Sequence, residues 1–150
     1  MNKNRSAFTM IEVVFVIVVL GILAGIAIPK FIATRTDAVI AKGRSDIASI
    51  RTAISTERQK RFMKGDTSFI AALDDAAQNT SGETVFDGNT TNRLLTYGIT
   101  TKTGDGGWMK TGTTTYTYEV SGGDKTTFTY NNTDGTFKCT TGTYCNKLTK

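Results

Sequence analysis

The fold class that the sequence predicts is α+β: a long N-terminal α-helical spine, one half of membrane type and the other amphipathic, packed on a small antiparallel β-meander. Three observations carry it. An apolar run fills 8–28, isoleucines recur at helical spacing over 32–54, and short alternating segments broken by Gly- and Asn-rich turns occupy 108–139. The apolar mass is unevenly shared, because the second half is crowded with Thr, Gly, Asn and Tyr, so the two halves call for different solvents.

As a helix, Phe8 to Ile28 would be about 30 Å long, the thickness of a bilayer's hydrocarbon core. Lys3 and Arg5 precede it and Lys30 and Arg35 follow, so counting charges alone leaves the orientation open. The brief basic leader favours a cytoplasmic N-terminus with the long downstream part translocated. Glu12 lies inside the run. A carboxylate in hydrocarbon costs a few kcal/mol unless it is paired, which marks it as functional. Two plainer readings compete. A cleaved secretory signal could end at the small-x-small triplet Gly25-Ile26-Ala27 and release a soluble binding protein, but the run exceeds an ordinary signal core and contains Glu12. A simple anchor leaves Glu12 without a purpose.

Beyond Pro29 the helix continues with Ile32, Thr36, Val39, Ile40, Gly43, Ile47, Ile50 and Ile54 on one face, and Asp37, Lys42, Arg44, Asp46, Arg51, Glu57 and Arg58 on the others. With no breaker before Gly65, Phe8 to about Met63 reads as one spine of roughly 80 Å, kinked at Pro29. A short helix is expected over Thr67 to Ala77, then a loop over Asn79 to Asn92 anchored by Val85 and Phe86, with Leu94 to Ile99 either a first strand or an irregular approach. Strands are expected at Trp108–Lys110, Thr114–Val120, Lys125–Tyr130 and Thr136–Cys139. Tyr116, Tyr118 and Val120 alternate with Thr115, Thr117 and Glu119, so one sheet face can cover the helix. The expected organisation is a leader over 1–7, a membrane helix over 8–29 and a head over 30–150, with its helix at 30–63 and its sheet at about 94–140.

Ser6-Ala7-Phe8-Thr9-Met10-Ile11-Glu12 resembles the prepilin processing motif of the type IV pilin and type II secretion pseudopilin family, in which a small residue, usually Gly, precedes Phe-Thr-Leu-Ile-Glu and a long apolar helix. Pro29 stands where these families commonly carry a helix-interrupting proline. The resemblance implies cleavage between Ala7 and Phe8 by a prepilin peptidase, methylation of the new Phe8 amine, and pairing of that amine with Glu12 of a neighbouring subunit. This sequence departs from the pattern by Ala7 in place of Gly. Pairing lowers the cost of two charges isolated in lipid, which drives polymerisation in register; the bland alternative is that Glu12 snorkels to the interface. Gly21, Gly25 and Pro29, four residues apart, allow close helix approach and mark the stretch where helices of the family can melt on assembly; alternatively they are tolerated small residues. The implied partners are further copies in a helical filament, minor pilins or pseudopilins, the peptidase and an inner-membrane assembly platform. The implied location is the inner membrane, crossed once, with the head in the periplasm or on an extracellular filament. A type II secretion pseudopilus is favoured by the compact head and short Cys loop, over a pilus for adhesion, motility or DNA uptake.

Other chemistry is thinly represented. Histidine is absent and there are two cysteines, which removes Cys/His zinc sites and His-dependent triads, so neither an enzyme nor a cofactor or metal is expected. The formal charge of +5 falls to 5 − 2 = +3 without Lys3 and Arg5, too small to name a nucleic-acid partner. Arg44, Arg51 and Arg58 line one helix edge at heptad spacing; interleaved acids make a solvated or subunit-pairing face the leading reading and nucleic acid the lesser one. Cys139 and Cys145 make a poor metal site and a plausible short disulfide, worth about 2 kcal/mol by chain entropy. Asp87-Gly88-Asn89-Thr90-Thr91 matches an acidic extended glycosylation sequon at Asn89. Asp124 and Asp134 sit in turns, and no cluster matches the calcium loop found in some pseudopilins.

Overall fold

The computed structural model describes residues 8–89 and 92–150, without the side chains of 27–33. The leader 1–7, including Ala7, the side chain of Pro29, and Thr90 and Thr91 of the sequon therefore lie outside the described residues, while the backbone at position 29 is helical within α1. The elements run α1 (Met10–Met63), β1 (Thr84–Val85), β2 (Ile99–Thr100), β3 (Trp108–Lys110), β4 (Thr115–Glu119), β5 (Lys125–Asn131), β6 (Thr136–Thr141) and α2 (Cys145–Leu148). The chain divides into two compact units, Met1–Arg35 and Thr36–Lys150. This is the α+β, pilin-like class that the pattern predicts.

In the second unit β3-β4-β5-β6 form a four-stranded antiparallel meander, while β1 and β2 pair separately. Trp108 faces Tyr118, Lys110 faces Tyr116, and Tyr116 in turn faces Phe128, so one sheet face is a field of aromatic rings. Against it lies the α1 stripe Ile40, Gly43, Ile47, Ile50 and Ile54, all buried at alternating spacings of three and four. Gly43 sits in the stripe for a steric reason. A Cβ there would stand 2.6 Å from Cε1 of Tyr118 and 2.7 Å from Cδ2 of Leu148. Tyr118 is pinned by its hydroxyl, which donates to the Val39 carbonyl at 2.7 Å. Trp108 completes the seam by donating Nε1–H to Asp46 Oδ2 at 3.0 Å.

α1 ends where Gly65 adopts φ +81, with Gly65 N–H donating to Phe62 O and Asp66 N–H to Arg61 O, a Schellman stop. The helix expected over Thr67 to Ala77 does not form. Its backbone acceptors are claimed by distant partners: the Tyr130 hydroxyl donates to Ile70 O at 2.8 Å and Gly88 N–H to Leu73 O at 2.9 Å. With Ile70 and Leu73 both buried, tertiary contacts outweigh local helix propensity. The segment after it is tied by Thr101, whose hydroxyl accepts from Glu83 N–H and contacts the carbonyls of Thr80 and Glu83. Phe86 takes a left-handed φ of 62, a strained state for a bulky side chain. Its ring is fully buried, 4.5 Å from Tyr116 and 5.3 Å from Trp108 between centroids, and this packing holds the strain.

Strand edges differ from expectation by a residue or two: β5 reaches Asn131 and β6 reaches Thr141, with an irregularity at Thr127/Phe128. Leu94 and Leu95 approach irregularly, donating N–H to the carbonyls of Asp87 and Phe86, and the β1–β2 ladder itself pairs Ile99 and Thr100 with Val85 and Thr84. α2 is a turn of helix that the sequence pattern did not reveal. The Cys139–Cys145 disulfide forms, joining β6 to the first residue of α2.

Candidate functional site

Thr9 starts α1. Its hydroxyl accepts from Glu12 N–H at 3.3 Å and its carbonyl accepts the same N–H at 3.1 Å. Thr9-x-x-Glu12 thus has the spacing of a capping box, a local signal that overlaps the processing motif. Glu12 occupies the first turn, where the unpaired N–H groups favour a carboxylate. It has no ion pair among the described residues.

From Phe8 to Ile26 the large apolar side chains are all exposed, from 37% at Val19 to 86% at Met10. Fourteen such residues, each worth about 1.5–3 kcal/mol on burial, put roughly 20 kcal/mol or more behind covering this stretch. At Gly21 and Gly25 an added Cβ would meet nothing within 4 Å, so no contact among the described residues requires either glycine. Among the described residues no helix is long and apolar enough to cross a membrane. The described apolar part of the helix, 10–26, spans about 25 Å at 1.5 Å per residue.

The second unit holds its polar groups for itself. Asp74 is buried, pairs with Lys110 Nζ at 2.7 Å, and accepts from the Tyr116 hydroxyl at 2.8 Å and from Phe86 N–H at 3.1 Å. Burial, then the Asp74 carboxylate, raises the Tyr116 pKa far above the usual phenol range, so it stays a donor. Burial likewise pushes Tyr130 up to about 12. No sequence motif announced this hub, because its members are 36 and 42 residues apart.

The arginine edge makes contacts within the second unit, with Arg44 and Arg51 still exposed. Arg44 donates to the Lys147 carbonyl, Arg51 to the Phe137 carbonyl at 3.1 Å, and Arg58 stacks between Phe62 and Phe69 at 4.3 and 4.0 Å. These bonds fasten α1 to β6 and to the tail, which explains the heptad spacing without nucleic acid. Asn89 is half-buried and its side-chain carbonyl accepts from Asn92 N–H at 2.7 Å. Asp134 turns the β5–β6 hairpin by accepting from Thr136 N–H and hydroxyl, which lowers its pKa. Among the described residues no group of three or more His, Cys, Asp or Glu could hold a metal ion.

An exposed apolar helix with a carboxylate in its first turn, followed by an α+β head, is the pilin-like arrangement. Residues 2–28 match the family described as the prokaryotic N-terminal methylation motif. The chain carries the prepilin-type N-terminal motif of the type IV pilins and pseudopilins, a class of structural subunits and not of enzymes. It is similar to the type II secretion system core protein G of Pseudomonas aeruginosa, 32% identical over 61 residues covering 41% of this chain and 43% of that protein. It is also similar to the core protein G of Aeromonas hydrophila, 42% identical over 53 residues covering 35% and 37%. The chain thus spans about two fifths of the length of the curated relatives it matches. No solved structure matches it. Prepilin-type pseudopilins are anchored in the inner membrane.

Proposed function

We infer that the chain is a structural subunit of a type II secretion pseudopilus, cut between Ala7 and Phe8, methylated on the Phe8 amine and polymerised through its N-terminal helix. The exposure of Phe8 to Ile26 carries this reading, since the stretch needs lipid before assembly and neighbouring helices afterwards. Residues 1–7 act as leader, 8–29 as the single membrane and assembly helix, and 30–150 as the head on the far side. Glu12 meets the amine of an entering copy, and Gly21, Gly25 and Pro29 let that copy approach and let the helix yield. Partners are further copies, minor pseudopilins, the prepilin peptidase and the inner-membrane platform. Two curated relatives that are both core protein G favour secretion over a pilus for adhesion, motility or DNA uptake.

Intact mass of the mature protein tests processing: a methylated Phe8 start supports this reading, whereas a start at Ile28 assigns the chain to secreted soluble proteins. Glu12→Ala is expected to leave membrane insertion intact and to abolish filaments or shorten them severely in electron micrographs. Normal filaments from that variant remove the charge pair from the mechanism.

A further inference from the structure

The C-terminal tail forms a cleft against α1. The disulfide holds Cys145 to β6, Leu148 is 1% exposed beside Gly43, and Arg44 donates Nε–H to the Lys147 carbonyl. Between them lies a space of about 460 Å³, with Arg44, Asn146, Lys147, Lys150 and Asp37 around an apolar floor at Ile40. Among the lining side chains three are cationic and one is a carboxylate, a side-chain balance of 3 − 1 = +2. Asp37, Lys147 and Lys150 have no ion pair among the described residues. Lys147 is only steadied, its Nζ lying 5.5 Å above the Tyr144 ring. A guanidinium has five N–H donors in a planar fork, and Arg44 has spent one of them, at Nε, on the tail. An arginine, two lysines and an asparagine lining one space are side chains whose N–H donors suit an anion with several oxygens.

We propose that this cleft binds a phosphate group, either of an anionic lipid headgroup or of free phosphate. The lipid source rests on the membrane reading of Phe8 to Ile28: Asp37 follows the end of that run by nine residues in sequence, with Lys30 and Arg35 between. The disulfide supports the site by fastening Cys145, at the start of α2, to β6, while Leu148 and the Arg44 bond hold the tail to α1.

The test uses the full chain in maltoside micelles, which contain no phosphate. Inorganic phosphate is titrated in one arm and phosphatidylglycerol doped into the micelles in the other. The amide signals of Asn146 and Lys147 and the Arg44 Nε–H are followed by NMR, and Trp108 fluorescence verifies that each variant is folded. Saturable shifts are expected. Response to phosphatidylglycerol alone assigns the site to a headgroup, and response to both assigns it to phosphate in general. Lys147→Ala and Lys150→Ala should each weaken binding about fivefold and together about 25-fold, and Asp37→Asn should strengthen it about fivefold. The paired Cys139→Ser, Cys145→Ser variant should weaken it severalfold. The proposal is overturned if neither arm saturates, if chloride at matched ionic strength gives the same shifts, or if the double lysine variant binds like the parent. Because the phosphate arm needs neither bilayer nor filament, a chain that binds phosphate yet fails to polymerise sinks the assembly reading and leaves this one standing.

Discussion

Gly43→Ala is the substitution whose sign separates two physical accounts of the second unit. In an open helix, Gly to Ala gains about 1 kcal/mol from backbone propensity alone. Here the new methyl would lie 2.6 Å from Tyr118 Cε1, 2.7 Å from Leu148 Cδ2 and 3.0 Å from Tyr118 Cζ, against an ordinary carbon contact of about 3.5–4.0 Å. Relief requires movements near 1 Å from a ring held by the Val39 carbonyl and by packing on Trp108, whose centroid is 4.9 Å away. Overpacking of this kind costs about 1–3 kcal/mol, and two neighbours are struck, so a net loss of about 1–2 kcal/mol is expected. Urea unfolding of the full chain in detergent reads this directly, because Trp108, the single tryptophan, is fully buried on the same seam. Leu148→Ala alone should cost about 2–4 kcal/mol, and in its background Gly43→Ala should cost at least about 1 kcal/mol less than it does alone. A Gly43→Ala variant more stable than the parent would refute the close-approach argument.

Three further outcomes are expected. Lys110→Met leaves the buried Asp74 carboxylate without its cation and should cost about 3–5 kcal/mol in the same unfolding assay, far beyond a surface lysine. Reducing Cys139–Cys145, which closes a separation of six residues, should cost only about 2 kcal/mol and leave the sheet's near-ultraviolet spectrum intact. Asp66 and Asp134 have folded pKa values lowered by hydrogen bonds from Ser68 and Thr136, so each adds stability above the ordinary carboxylate pKa. That contribution is lost as pH falls through the lowered value; NMR of the Ser68 and Thr136 amides should change at lower pH than for an unstructured aspartate.

Periodicity made much of this architecture legible. The α1 stripe and the alternation along β4 are local patterns, and both faces lie where spacing puts them. The segment between α1 and β3 was misread because its conformation is set by remote groups: Tyr130, Gly88 and Lys110 claim the polar atoms of Ile70, Leu73 and Asp74. No window of sequence contains those pairs. Along the arginine edge the spacing and the exposed face are visible in the sequence, whereas the carbonyls that Arg44 and Arg51 serve, in the tail and on β6, are not. At the N-terminus the processing motif was read at once, yet Thr9 was seen only as part of that motif and not as the cap that starts the helix.

That cap has a consequence for maturation. On the proposed cut between Ala7 and Phe8, the hydroxyl that initiates the coil would stay with the trimmed polypeptide, one position inside the new end. The bonds from Glu12 N–H to Thr9 lie wholly within the retained part, so the proposed amine would stand beside a stem whose cap is intact. A scission two bonds later would discard Thr9 and leave that stem to unravel from its tip.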